Sequence, residues 1–149
     1  MITLILCAIC LTAITVVMHG AGAGASARQV MPPLASRATG PSRLGLELRL
    51  AALVSLLLLL HLAEALVWAL FLVLIGALPN VETAAYFSLT SYTTVGYGDV
   101  VLPERWRLLG PIEAAVGVLM LGWSTGVLVA EIGAVYRAQL PAPKEREAR

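Results

Sequence analysis

Charge is what this chain has least of. Only 13% of its 149 residues are charged and 59% are apolar, against about 25% charged in an ordinary soluble domain. The formal net charge is +1. That excludes a nucleic-acid binder working by bulk electrostatics, which needs a clear basic excess. Cysteine is scarce too: Cys7 and Cys10 both fall in the first apolar stretch and suggest no disulfide framework. With no histidine or acid beside them in sequence, they read as small apolar fillers. No phosphate loop, nucleophile constellation or metal-ligand cluster stands out, so an enzyme is not expected. No stretch carries an arginine at every third residue, which leaves out the usual voltage sensor. There is no internal repeat. The tail after Tyr136 is too short for a nucleotide- or ion-sensing domain.

Long apolar runs are what the chain has instead. The first is Ile2–Met18, free of charge; the second is Leu48–Leu78, interrupted by Arg49, His61 and Glu64; the third is Ala114–Ala130, bracketed by Glu113 and Glu131. A bilayer-spanning helix needs about 20 such residues. The expected class is an all-α membrane protein with three transmembrane helices, its core built by packing helices within and across subunits. A rival reading of the first run is a secretory signal, because "HGAGAGASAR" offers small-x-small sites. Only Met1 precedes that run, however, and no positive region leads it. Arg28, Arg37, Arg43 and Arg49 lie between the first two runs, and Arg137, Lys144, Arg146 and Arg149 lie in the tail. Only Arg105 and Arg107 lie between the second and third. The positive-inside rule then predicts an uncleaved first helix with its N-terminus outside, and a cytoplasmic linker and tail. Residues 20–41, rich in Gly, Ala, Ser, Pro and Arg, read as a flexible linker. The arginines of that linker read as topology signals, and the second helix is expected to begin near Ser42.

The connection Pro79–Pro111 is outside by this topology, yet much of it is apolar. "PNVETAAYFSLTSY" predicts a short helix with Asn80 as N-cap and Glu82 at the positive dipole end. About ten helical residues reach ~15 Å, half a bilayer. The segment is therefore re-entrant, and the backbone after it must be buried in protein or line a water-filled path. In "SYTTVGYGDV" that backbone alternates Val95 and Tyr97 with Gly96 and Gly98. Glycine takes positive φ without steric cost, so successive carbonyls can point the same way and form a ladder of hard oxygens. One chain supplies one row, and a closed ring needs several copies.

"TTVGYGD", Thr93–Asp99, resembles the selectivity filter of potassium channels, whose carbonyl oxygens replace an ion's hydration. Helix, short helix, filter and helix together resemble the two-helix pore module of bacterial potassium channels, over about Leu46–Arg137. The resemblance implies a homotetramer in the cell (inner) membrane that passes K⁺ and carries no cofactor beyond that permeant ion. Thr94 would contribute hydroxyl and carbonyl oxygens to the innermost site, with the carbonyls of Val95, Gly96 and Tyr97 forming those above. Gly98 would close the turn, Thr93 would support it, and Asp99 would add negative charge at the outer mouth. The Tyr97 ring would turn toward Tyr86 and Phe87. Tyr97 stands where sodium-permeable relatives often carry an acid, which favours K⁺ over Na⁺. The resemblance also implies that the third helix lines the cavity. The resulting divisions are 1–19 first helix, 20–41 linker, 42–137 pore domain and 138–149 tail. No nucleic-acid partner is expected. Alternative readings are a non-conducting scaffold or accessory subunit that kept the module, or a poorly selective cation channel.

Weaker signals lie deeper. His61 and Glu64 share one helix face. At roughly 1.5 Å per residue, Glu64 sits about 21 Å from Leu78 and Trp123 about 18 Å from Pro111. His61, Glu64, Trp123, Ser124 and Thr125 are thus level near the midplane, where an ionisable residue is expensive and functional by default. They are expected to form a polar lock between helices, with a proton switch on His61 as the sharper alternative. Gly122 and Gly126 form a GxxxG packing pair, and Gly117 is the candidate gating hinge. Trp106, Arg105 and Arg107 are expected to anchor the outer interface, with Glu104 either joining Asp99 at the mouth or simply solvated.

Overall fold

The computed structural model describes residues 1–30 and 42–139. Four helices follow in order: α1 Ile2–Val30, α2 Arg43–Leu74, α3 Val81–Tyr92 and α4 Leu109–Gln139, with a single 3₁₀ turn at Glu104–Trp106. Among the described residues there is no strand. Three of the helices, α1, α2 and α4, are long and apolar enough to cross a membrane. The fold is an all-α membrane protein.

Sequence punctuation sets several helix ends. Ser42 caps α2, its hydroxyl accepting from the Gly45 N–H at 3.2 Å. Asn80 caps α3, its side-chain oxygen accepting from the Thr83 N–H at 2.8 Å. Both satisfy donors that a helix start leaves orphaned. Gly76, with φ of +65°, ends α2 four residues before Leu78 by turning left-handed just past its last turn. Its N–H and that of Ala77 donate to the Val73 and Leu72 carbonyls.

The first helix is longer than the sequence suggested. It continues past residue 19 to Val30, so residues 20–30 are helical rather than linker. Residues 31–41 and 140–149, which hold the rest of the expected linker and nearly all of the tail, lie outside the described residues. The physical reason for the extension is packing. Leu4, Ala8, Leu11, Thr15, His19 and Ala23 are all buried, and their spacing of three to four makes one stripe down α1. Gly20 and Gly22 continue the close contact: a Cβ on Gly20 would meet the Trp123 ring at 3.2 Å, and one on Gly22 would meet Leu60 at 2.7 Å. Small residues let helix backbones approach where lipid supplies no hydrophobic drive between helices. The opposite side of α1 exposes Ile2, Ile5, Leu6, Ile9 and Val17, a surface suited to hydrocarbon.

The main core gathers α1, α2 and α3 with the start of α4. Trp68, Ala69 and Leu72 from α2 meet Ala84, Phe87 and Tyr92 from α3, and Leu109, Val116 and Met120 from α4. Trp68 also donates through Nε1 to the Thr15 hydroxyl at 3.0 Å, which ties α1 to α2. Gly117 lies where α4 crosses the end of α3, and a Cβ there would collide with the Tyr92 carbonyl oxygen. Gly117 thus has a packing reason of its own, whatever part it has in gating. Gly122 and Gly126 meet nothing within 4 Å of a built Cβ in the single chain.

Replacing Gly117 by Ala overpacks a backbone contact and is expected to cost about 1–3 kcal/mol, read as a lowered midpoint of thermal unfolding in detergent. Gly24→Ala is the contrasting case. Its Cβ would meet only the Arg28 guanidinium at 3.5 Å, so the helix should gain about 0.5–1 kcal/mol.

Candidate functional site

The segment after α3 has an unusual backbone. Thr94, Gly96 and Gly98 have φ of +64°, +50° and +77°, and Thr94 is the single non-glycine residue with positive φ among the described residues. Val95 and Tyr97 between them keep negative φ, so the sign alternates along five residues. For a β-branched residue positive φ is a true outlier, costing about 1–3 kcal/mol and persisting only when its surroundings enforce it. The end of α3 does the enforcing. The Thr94 N–H donates to the Ser91 carbonyl at 2.9 Å, and the Gly96 N–H to the Thr90 carbonyl at 3.0 Å. The Thr93 hydroxyl donates to the Leu89 carbonyl at 2.6 Å. A Cβ on Gly96 or Gly98 would meet nothing within 4 Å, so the demand for glycine there is conformational rather than steric.

Residues Thr93–Asp99 are all exposed in the single chain, Val95 at 52% and Tyr97 at 72%. A groove opens behind them, lined by Phe87, Ser91, Gly96, Gly98, Val100 and Gly110 among others. The Tyr86 hydroxyl donates to Asp99 Oδ2 at 2.7 Å, and the Val100 N–H donates to Asp99 Oδ1 at 3.0 Å. The Tyr86 bond is the main cause holding the Asp99 carboxyl below its ordinary range, and the same bond raises the Tyr86 phenol. Phe87 is buried at this groove, and its ring lies 3.1 Å from a Cβ built on Gly110 at the start of α4.

Deeper in the bundle a second polar group assembles. The Tyr92 hydroxyl donates to Glu64 Oε2 at 2.5 Å and lies 2.9 Å from His61 Nδ1. His61 Nε2 lies 3.0 Å from Ser124 Oγ, which is itself 3.3 Å from His19 Nε2. His19 Nδ1 closes the circuit, 3.0 Å from Glu64 Oε1. All five side chains are buried, and they come from all four helices. His61, Glu64 and Ser124 therefore do meet, as their depths predicted. Trp123 takes part through ring contact, 5.4 Å from the His19 ring, while Thr125 turns away and donates to the Leu121 carbonyl. His19 and Tyr92 were missed. The available signal was a lone histidine at the end of an apolar run, and its partner Glu64 lies 45 residues on. Glu113 is a further buried acid, and neither its carboxylate oxygens nor the Ser88 hydroxyl has a hydrogen-bond partner.

A model of the ion channel family matches residues 56–133, more than half of the chain. The chain belongs to the ion channel family. The match begins within α2, takes in α3 and the glycine-punctuated strand, and ends within α4, so α1 lies outside it. No curated protein and no solved structure matches the chain. Membership of the family together with three spanning helices makes this a membrane protein and an ion channel by class.

Asp99 is the lone aspartate of the chain, so ¹³C-aspartate NMR reads it directly. Because its folded pKa is depressed, its charge persists as pH falls below the ordinary aspartate range and is lost only on passing the lowered value. Tyr86→Phe should move that titration to higher pH. Tyr92→Phe should leave Glu64 Oε2 and His61 Nδ1 each short of a partner. At about 1–3 kcal/mol per orphaned buried group, the unfolding midpoint of the purified protein should fall clearly.

Proposed function

We propose that the channel is a homotetramer that conducts K⁺ passively and selectively, with the backbone of Thr94–Gly98 as its filter. The observation that carries this reading is the reversal of φ sign at Thr94, Gly96 and Gly98. In an ordinary strand successive carbonyls point to opposite sides. Alternating left- and right-handed residues brings them to one side, which is the reason glycine recurs at every second position. Four such rows around an axis make stacked rings of oxygens that substitute for the water around an alkali ion, as in the carbonyl-lined filters of potassium channels.

The resemblance to potassium-channel filters supplies the residue roles. Thr94 supplies hydroxyl and carbonyl at the innermost ring, Val95, Gly96 and Tyr97 supply the carbonyls above it, and Gly98 turns the chain outward. Asp99, kept ionised by Tyr86, adds negative charge beside the exit. The exposure of Val95 and Tyr97 supports assembly, because an isolated chain leaves these apolar side chains uncovered. Tyr97 between the glycines, with no acid, favours K⁺ over Na⁺. In this reading α4 lines the inner cavity, Gly117 is the point about which α4 bends, and the buried ring at His61 and Glu64 locks the helices beneath the filter. The basic residues of linker and tail favour a cytoplasmic side for those segments and an N-terminus outside.

Purified protein in liposomes tests the proposal. A K⁺ gradient should drive flux that Na⁺ does not support, and Gly96→Ala, which puts a side chain on a left-handed residue, should abolish it. Mass measurement should return four copies. Equal passage of Na⁺ would make the protein a poorly selective cation channel, and no flux from correctly assembled tetramers would leave a non-conducting scaffold.

A further inference from the structure

The buried side chains beneath the filter strand form a closed circuit, and a closed circuit of hydrogen bonds can be counted proton by proton. Its five contacts join His19 to Glu64, Glu64 to Tyr92, Tyr92 to His61, His61 to Ser124 and Ser124 back to His19. Each contact needs one hydrogen between its two heavy atoms. Two neutral imidazoles, a phenol and a hydroxyl supply one hydrogen each, and an ionised carboxylate supplies none. Five contacts therefore share four hydrogens. Choosing other tautomers or turning the hydroxyls moves the shortfall without removing it. With Tyr92 donating to Glu64 and His61 donating to Tyr92, the gap falls between His19 Nδ1 and Glu64 Oε1. With His61 donating to Ser124 instead, it falls between His61 Nδ1 and the Tyr92 oxygen. Wherever it falls, two lone pairs face each other at about 3 Å where burial leaves no solvent to relieve them. The circuit would also carry one net negative charge at membrane depth, which is expensive.

We propose that the circuit holds a fifth proton, shared between His19 Nδ1 and Glu64 Oε1, and that this proton docks α1 onto the pore module. It fills the fifth contact and makes the group neutral. His19 is the one member from α1, outside the stretch that matches the channel family. Tyr92 is the member nearest the filter strand, two residues before Thr94. The titratable or polar groups facing the proton are His19 from α1, His61 and Glu64 from α2, Tyr92 from α3 and the Ser124 hydroxyl from α4. The next acid is Glu113 on α4, close enough to act on Tyr92.

A metal ion fits less well. Ligand atoms of His19, His61 and Glu64 do lie within 4.8 Å of one another. Around a tetrahedral zinc, ligands at ~2.0–2.1 Å stand about 3.3 Å apart. Here two of those ligand atoms, His19 Nδ1 and Glu64 Oε1, lie 3.0 Å apart, the length of a bond with a hydrogen between, while His61 Nδ1 lies 3.5 Å from Glu64 Oε2. A dication beside one carboxylate would also leave net positive charge in hydrocarbon.

The sign of the pH dependence follows. Docked α1 binds one proton more than undocked α1, so docking weakens as pH rises, by at most about tenfold per pH unit in each chain. His19 and His61 are the only histidines, so ¹⁵N-histidine NMR on the full-length protein in nanodiscs, with the carboxyl stretch of Glu64 assigned by infrared difference against Glu64→Gln, counts the protons directly. Three protons on the two imidazoles and Glu64 together are expected at neutral pH; two, with the carboxylate ionised, overturn the proposal. Glu64→Gln gives the second arm. A glutamine amide donates to His19 while its carbonyl accepts from Tyr92, which completes all five contacts without a titrating group. Hydrogen exchange in α1, compared with wild type at matched pH, should then lose its rise on alkalinisation, while His19→Ala should loosen α1 at every pH. An identical pH response in wild type and both variants overturns the proposal, and so does one zinc ion bound per chain and lost with His19→Ala. None of these readouts involves K⁺ flux, so they stand apart from the conduction reading.

Discussion

Hydrocarbon supplies no hydrogen-bond partners, and the architecture depends on that constraint. A helix meets it with its own backbone bonds, which is why three long helices cross the chain's membrane region. The short α3 and the strand after it cannot meet it alone. Their irregular backbone is tolerable only against protein or water. The buried side-chain circuit answers the constraint in another way. Five polar groups from four helices satisfy one another, each contact contributing about 0.6 kcal/mol and at most ~1.7. Those contributions are modest, but leaving any member unpaired costs more than its bond contributes.

The two polar assemblies are joined by a short stretch of chain. Tyr92 belongs to the buried circuit and Thr94 begins the run of reversed φ. The left-handed threonine is held by a bond from its own N–H to the Ser91 carbonyl, so the last turn of α3 is common to both. Whatever displaces Tyr92 acts on the residues that impose strain on Thr94. Asp99 and Tyr86 fix the other end of the strand. The segment Thr94–Gly98 is thus pinned at one end by the bundle and at the other by the Tyr86 hydrogen bond to Asp99, with the span between them exposed.

Much of the fold was legible because its boundaries are written in cap chemistry. Ser42 and Asn80 each carry an oxygen that a helix start needs, and both act as expected. The left-handed backbone at Gly96 and Gly98 was legible because glycine at alternate positions has few other uses. What could not be read was of two kinds. Residues 20–30 look like a linker by composition, since glycine and alanine suggest flexibility in water; between helices in lipid the same small residues mean close approach. His19 and Tyr92 were hidden because their partners lie on other helices, and no local pattern reports which face of α1 meets Glu64. Thr94 carries no sign of its left-handed backbone, since threonine ordinarily avoids it.

The contact between Gly117 and the Tyr92 carbonyl gives α4 a mechanical character. Twenty-two residues separate Gly117 from Gln139, the last residue of α4, which at roughly 1.5 Å each is an arm of about 33 Å. The contact is a fulcrum set close to one end. Leverage of this kind makes any swing of α4 about that contact largest at the far tip and smallest beside Tyr92. The long arm has room to travel that the last turn of α3 does not share.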